Sequence, residues 1–116
     1  MQTKPSRQSR GINAAELRHM RWIKDRMTCA ACAQYGPVIN HHCEGAMFKN
    51  NKVQCGHLFV IGLCQCCDDI VTRQSRKVFR DAFGSQSGLW AEQFEDYPNK
   101  HEFSEEEVNA IISYGK

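Results

Sequence analysis

The spacing of hydrophobic and polar positions changes several times along this chain, and each change marks an element. In INAAELRHMRWIKDRM, residues 12–27, Ile12, Met20, Ile23 and Met27 recur at mostly helical spacing and Asn13 stands where a helix is capped, which predicts an amphipathic helix. Gly36 and Pro37 signal a turn, and PVINHHC then has the β-branched content and length of a short strand. EGAMFKNNKVQCG reads as a loop with Asn50 and Asn51 at its tip, and GHLFVIGLC as a second strand. DDIVTRQSRKVFRDAF reads as one helix with acids at its start, anchored by Ile70, Val78, Phe79 and Phe83 and stopped at Gly84. SGLWAEQF predicts a short helix carrying Leu89, Trp90 and Phe94 into the core, YPNK breaks it, and Ser104 with Glu107 makes a capping box for EEEVNAII.

Composition narrows the picture. A chain of 116 residues, 41% hydrophobic and 24% charged, suits one domain with a modest core that an internal staple would help. Charge is uneven: residues 1–27 hold seven Lys/Arg against two acids, and residues 95–116 hold two against six. The basic half is the candidate nucleic-acid face, with Arg18, Arg21, Lys24 and Arg26 set to meet phosphates, although a solvated helix surface has the same pattern. MQTKPSRQSR is polar and basic and reads as a flexible arm, not a secretory signal. With no apolar run of the roughly 18–20 residues that span a bilayer, the expected location is the cytoplasm and no membrane partner is expected.

Seven cysteines are many for this length, and in a reducing compartment paired cysteines bind metal more often than they cross-link. Cys29-x-x-Cys32 precedes the first strand and Cys64-x-x-Cys67 follows the second, so two antiparallel strands would bring both pairs together around one zinc. A closed four-thiolate set is structural and would supply folding free energy. Cys43, Cys55 and Cys66 are left over for packing, with Cys66 a competitor of Cys67. His41 and His42 then stand outside the zinc shell. Successive strand residues point to opposite faces, so both serve one centre only where the strand bends. Asp68 and Asp69 follow the second knuckle, and a His with an Asp suits a divalent ion that keeps its waters and binds phosphate. His19 and His101 read as surface or helix histidines without chemistry, and Trp22 and Trp90 as core anchors.

Taken together, RHMRWIKDRMTCAAC, VINHHCEG, HLFVIGLCQCCDD and RKVFRDAFG, from about Arg18 to Trp90, resemble the HNH or ββα-metal nucleases, and among them the Ref-type recombination-enhancement nucleases of bacteriophages and prophages. The resemblance implies an α+β fold: a small ββα-metal core with zinc knuckles, flanked by an N-terminal helix and C-terminal helices. The expected organisation is a basic arm over 1–10, a zinc-stabilised HNH-like domain over 11–94 and an acidic helical tail over 95–116 packed on it. The implied activity is metal-dependent hydrolysis of DNA phosphodiesters in a bacterial host cell, with the RecA filament as partner. Carried over, His42 matches the general base, His41 the metal-ligand position before it, and His57 a histidine of Ref-like relatives with a role near the phosphate. Cys67 takes a place that is Cys or His in the family. Asp68 stands where members commonly have histidine; an oxygen ligand there suits Mg²⁺ or Mn²⁺, whereas loss of an essential histidine marks a weakened nuclease.

On this reading neutral His42 takes a proton from the attacking water, the ion at His41 and Asp68 neutralises phosphate charge, and Arg73, Arg76, Lys77 and Arg80 hold the flanking backbone. The competing reading is a non-catalytic zinc-ribbon-like module that binds nucleic acid or a recombination protein. The histidine pair discriminates: facing Asp68 across an open groove favours the nuclease, and burial with hydrogen bonds directed elsewhere favours the module. A thiol redox protein is the third, since the knuckles lack the βαβ setting of that motif.

Overall fold

The computed structural model describes residues 11–115. The basic arm expected over residues 1–10 lies outside the described residues.

Helix α1, Ala14–Arg26, begins with a full capping box: Asn13 accepts from the Glu16 amide while Glu16 accepts from the Asn13 amide. It ends where Met27 turns left-handed at φ 51°. Its buried face is Glu16, His19, Met20 and Ile23. One sequence expectation is corrected, because Ile12 precedes the helix and is 48% exposed; His19, read as a surface or helix histidine, lies on the helix and is fully buried.

Strands β1, Ile39–His42, and β4, Val60–Leu63, pair antiparallel with His41 opposite Ile61 and His42 opposite Val60. Between them, the expected loop carries a hairpin of β2, Lys49–Asn50, and β3, Val53–Gln54. Its two-residue turn is Asn51–Lys52, both left-handed at φ 56° and 67°. That is the primed-turn geometry whose twist matches paired strands, reached here without glycine. The tip is therefore Asn51 and Lys52, and Asn50 belongs to the strand.

The expected helix over residues 68–83 is three pieces: α2, Gln65–Asp69, a π-helical stretch, Ile70–Gln74, and α3, Arg76–Phe83. Ser75 breaks the run because it takes an extended backbone and caps α3 by accepting from the Val78 amide. The break turns Val78 outward, 45% exposed, leaving Phe79 as the fully buried anchor.

Helix α4, Gln86–Glu95, lies against β4 and acts as its second neighbour. The Gln93 amide accepts from the Gly62 N–H and donates to the Val60 carbonyl, both at 3.0 Å, and Trp90 Nε1 donates to the Leu58 carbonyl at 2.8 Å. Backbone groups on the outer edge of β4 are thereby satisfied by side chains, as buried polar groups require. At Gly62 an added Cβ would come within 2.6 Å of Ile23 Cγ2, so this glycine lets α1 lie directly on the strand. Trp90 is fully buried, whereas Trp22 packs at the core margin beneath Arg26.

Helix α5, Glu105–Tyr114, follows the Ser104–Glu107 capping box and buries Ala110 and Ile111 in the same core. Arg18 pairs with Glu102 at 2.8 Å and Arg26 with Asp96 at 3.2 Å, so two cations of the basic helix meet the acidic tail. The result is an α+β domain with a small sheet and several helices. Among the described residues, no helix is long and apolar enough to cross a membrane.

Candidate functional site

Two structural devices place the four knuckle cysteines. Cys29 heads a tight turn in which its carbonyl accepts from the Ala33 amide, and the Ala30 amide bonds the Gly62 carbonyl, tying the first knuckle to β4. Cys64 caps α2 directly after β4, which brings Cys67 back one turn later. All four sulfurs lie within 4.8 Å of one another, with Cys32 and Cys64 Sγ 3.8 Å apart. A tetrahedral zinc with bonds of about 2.3 Å holds its sulfurs about 3.8 Å apart, so this cluster is suited to a structural zinc. Cys66 is exposed and outside the cluster, and Cys43 and Cys55 are buried packing residues.

By themselves the four thiols are unequal. Burial raises the pKa of Cys29, but hydrogen bonds from the Cys32, Cys64 and Ala31 region outweigh it and bring the value down to about 7. Burial and the neighbouring thiols push Cys67 well above its ordinary value, and burial raises Cys32. The first thiolate forms readily and the later ones face a crowded negative site. A divalent cation supplies the charge that lets all four ionise.

The histidine pair points two ways. His41 Nδ1 lies 3.4 Å from Asp68 Oδ1, and its Nε2 lies 3.2 Å from Gln86 Oε1 at the first residue of α4. His42 Nε2 instead lies 3.3 Å from His57 Nδ1, with the rings nearly perpendicular. Burial, then the positive charge His57 and His41 can carry, lowers the His42 pKa. His42 is thus held neutral at neutral pH. Both histidines line an open groove of 450 Å³ with Glu44, Thr72, Ser75, Arg76 and Gln86. The 3.4 Å separation of His41 and Asp68 is long for a charge-assisted hydrogen bond, and short enough for both to contact one cation at about 2.0–2.2 Å. The donor set fits a divalent ion that completes its shell with water and phosphate.

Of the four basic residues expected to hold a phosphate backbone, Arg76, Lys77 and Arg80 line a second groove of 490 Å³ with Glu44, Ser85, Gln86 and Tyr114. Arg73 lines neither groove and sits 3.8 Å from Asp69, one turn away. Sequence reasoning missed Gln86, Glu44 and Tyr114. Glu44 stands two residues after His42 and was visible as an acid next to the pair. Gln86 and Tyr114 reach the site through the packing of α4 and α5, for which no local signal exists.

Compared with family models, curated proteins and solved structures, the chain matches none. The geometry establishes an α+β domain with a four-cysteine cluster capable of chelating a metal.

Proposed function

We propose that this chain is a zinc-stabilised, HNH-like endonuclease that hydrolyses DNA phosphodiesters with a second divalent ion, in phage or prophage recombination. The observation that carries the reading is that His41, on the wall of an open groove, lies beside Asp68, and that Arg76 joins this groove to a second one lined by Lys77 and Arg80. In this reading the β1–β4 hairpin and the helix after the second knuckle grip the site in the ββα-metal manner. His41 and Asp68 would hold the divalent ion, Mg²⁺ or Mn²⁺, which acts as a Lewis acid toward the phosphate and the leaving oxygen.

The remaining work falls to side chains. His42, neutral at working pH, accepts the proton of the attacking water. His57 orients the His42 ring through the 3.3 Å contact and is the next stop for that proton. Arg76, Lys77 and Arg80 position the strand without reading its sequence.

A second reading, a non-catalytic zinc module that binds nucleic acid or a recombinase, draws support from two observations. Among the described residues the four cysteines form the one cluster of three or more metal-ligating groups, and His42 Nε2 is turned toward His57 and away from Asp68.

Purified protein incubated with single-stranded and supercoiled DNA, Mg²⁺ or Mn²⁺, with and without RecA filament, separates the two. Metal-dependent cutting that drops by about 10²–10⁴ in a folded His42→Ala protein is the expected result. Binding without cutting under all these conditions would establish the module and remove the nuclease.

A further inference from the structure

The two grooves form one trough interrupted by an ion pair. Glu44, Arg76 and Gln86 line both halves. Glu44 takes a left-handed backbone at φ 58° and sets Oε1 2.8 Å from Arg76 Nη1. Its side chain is 16% exposed against 67% for Arg76, so the acid is the fixed member of the pair and the arginine the one free to swing. On the far side stands Tyr114, at the end of α5, whose phenol pKa is raised by burial and then by the Glu44 carboxylate. A sheltered negative charge thus sits among Arg76, Lys77 and Arg80, at the point where a strand running from the basic groove to the wall that carries His41 would pass.

We propose that Glu44 is a gate on this trough, holding Arg76 until a phosphodiester of a bound nucleic-acid strand displaces the carboxylate from it. The proposal rests on the nucleic-acid reading above. The exchange replaces one charge-assisted pair by another, because a guanidinium matches phosphate as well as it matches carboxylate. A lone phosphate would gain little from that exchange and would meet the repulsion of Glu44. A strand brings further phosphates for Lys77 and Arg80, so the gate selects a polyanionic chain over a small anion.

The test is the affinity of the zinc-loaded full chain for a fluorescein-labelled single-stranded 30-mer, by anisotropy, without added Mg²⁺ or Mn²⁺, over a range of salt concentrations. Glu44→Gln keeps the shape and removes the charge; it should tighten binding about three- to tenfold at low salt and leave the log–log salt slope unchanged, because Arg76 meets a phosphate in both complexes. Arg76→Ala should weaken binding, and adding Glu44→Gln to Arg76→Ala should then tighten it by clearly less than Glu44→Gln does in the wild type. Zinc content and thermal melting of each variant report folding. The gate is overturned if Glu44→Gln binds like the wild type or more weakly. Equal tightening in the Arg76→Ala background also overturns it, because that is a general charge effect. Wild-type binding with an unchanged Glu44→Gln sinks the gate alone, whereas no wild-type binding to the strand sinks both the gate and the nucleic-acid reading.

Discussion

The four-thiol cluster and the His41–Asp68 groove meet at Cys67 and Asp68, neighbours in the chain, and are built in opposite ways. The cluster is closed: four like donors from two turns lie within 4.8 Å of one another, with nothing left for solvent or substrate. The groove is open and sparse: His41 on its wall lies 3.4 Å from the Asp68 carboxylate, and the second histidine is directed to His57. A complete shell makes a metal part of the fold, while an incomplete one leaves positions for water and phosphate. The contrast teaches that potential donors adjacent in sequence divide by how many others converge on them, not by their chemistry alone.

The largest expected effect comes from the closed centre. Structural zinc in small domains contributes about 10–16 kcal/mol, comparable to or above the roughly 5–15 kcal/mol that separates folded from unfolded chains. Stripping zinc with a strong chelator, or Cys64→Ser, should abolish the cooperative thermal transition followed by circular dichroism. A chain that still melts cooperatively without zinc would show that the cluster is dispensable.

On the proposed nuclease reading, His41→Ala should do the reverse, leaving one equivalent of zinc and a cooperative melt while metal-dependent cleavage falls by about a hundredfold or more. Loss of bound zinc in this variant would mean that the two centres are one.

Acid provides a third distinction. His19 is boxed by Trp22, Phe94, Tyr97 and Phe103, and neither ring nitrogen has a hydrogen-bond partner. Burial lowers its pKa to about 4, against a smaller opposing pull from Glu16. Between pH 6.5 and 4 the unfolded chain binds the proton that the folded chain refuses, so stability is full above pH 6.5 and falls as the pH drops toward 4, by about 3 kcal/mol. Zinc release also weakens the fold in acid. Denaturant titrations across this window should be less pH-dependent for His19→Phe than for the wild type, the residual slope belonging to the thiols. An unchanged slope would mean that the thiols account for all of it.

The smallest effect touches neither centre. Asn13→Ala removes half of the α1 capping box and should cost about 1 kcal/mol in denaturant midpoint, with zinc content unchanged. A larger loss would mean that α1 carries the knuckles more directly than its contacts indicate.

Much of this was legible in particular residues. The Cys-x-x-Cys spacing, the Asn13 and Ser104 caps and the two paired strands carry local signals, and each found its place. Other features depend on distant partners. The burial of His19 had no local signal because its aromatic box is completed by Phe94, Tyr97 and Phe103, far along the chain. Ser75 hid in a continuous helical pattern, since a serine interrupts a helix only when its hydroxyl finds an amide to cap. The Asn51–Lys52 turn was obscured because lysine rarely adopts positive φ. At the groove, the His41–Asp68 meeting was anticipated. The turning of His42 to His57 was not, because strand alternation sets the side of the strand but not the ring nitrogen's partner.

The Gln93 bridge bears on the order in which the chain can complete its sheet. Gln93 reaches a carbonyl 33 residues earlier in the sequence, so the Gly62 N–H and the Val60 carbonyl lack these partners until α4 has been made, while Ala30 of the first knuckle already bonds the Gly62 carbonyl. At a synthesis rate of about 5–20 residues per second, the hairpin waits some 2–6 s with a half-satisfied edge. During that interval, an amide side chain still to come leaves part of that edge free to recruit a stranger's strand.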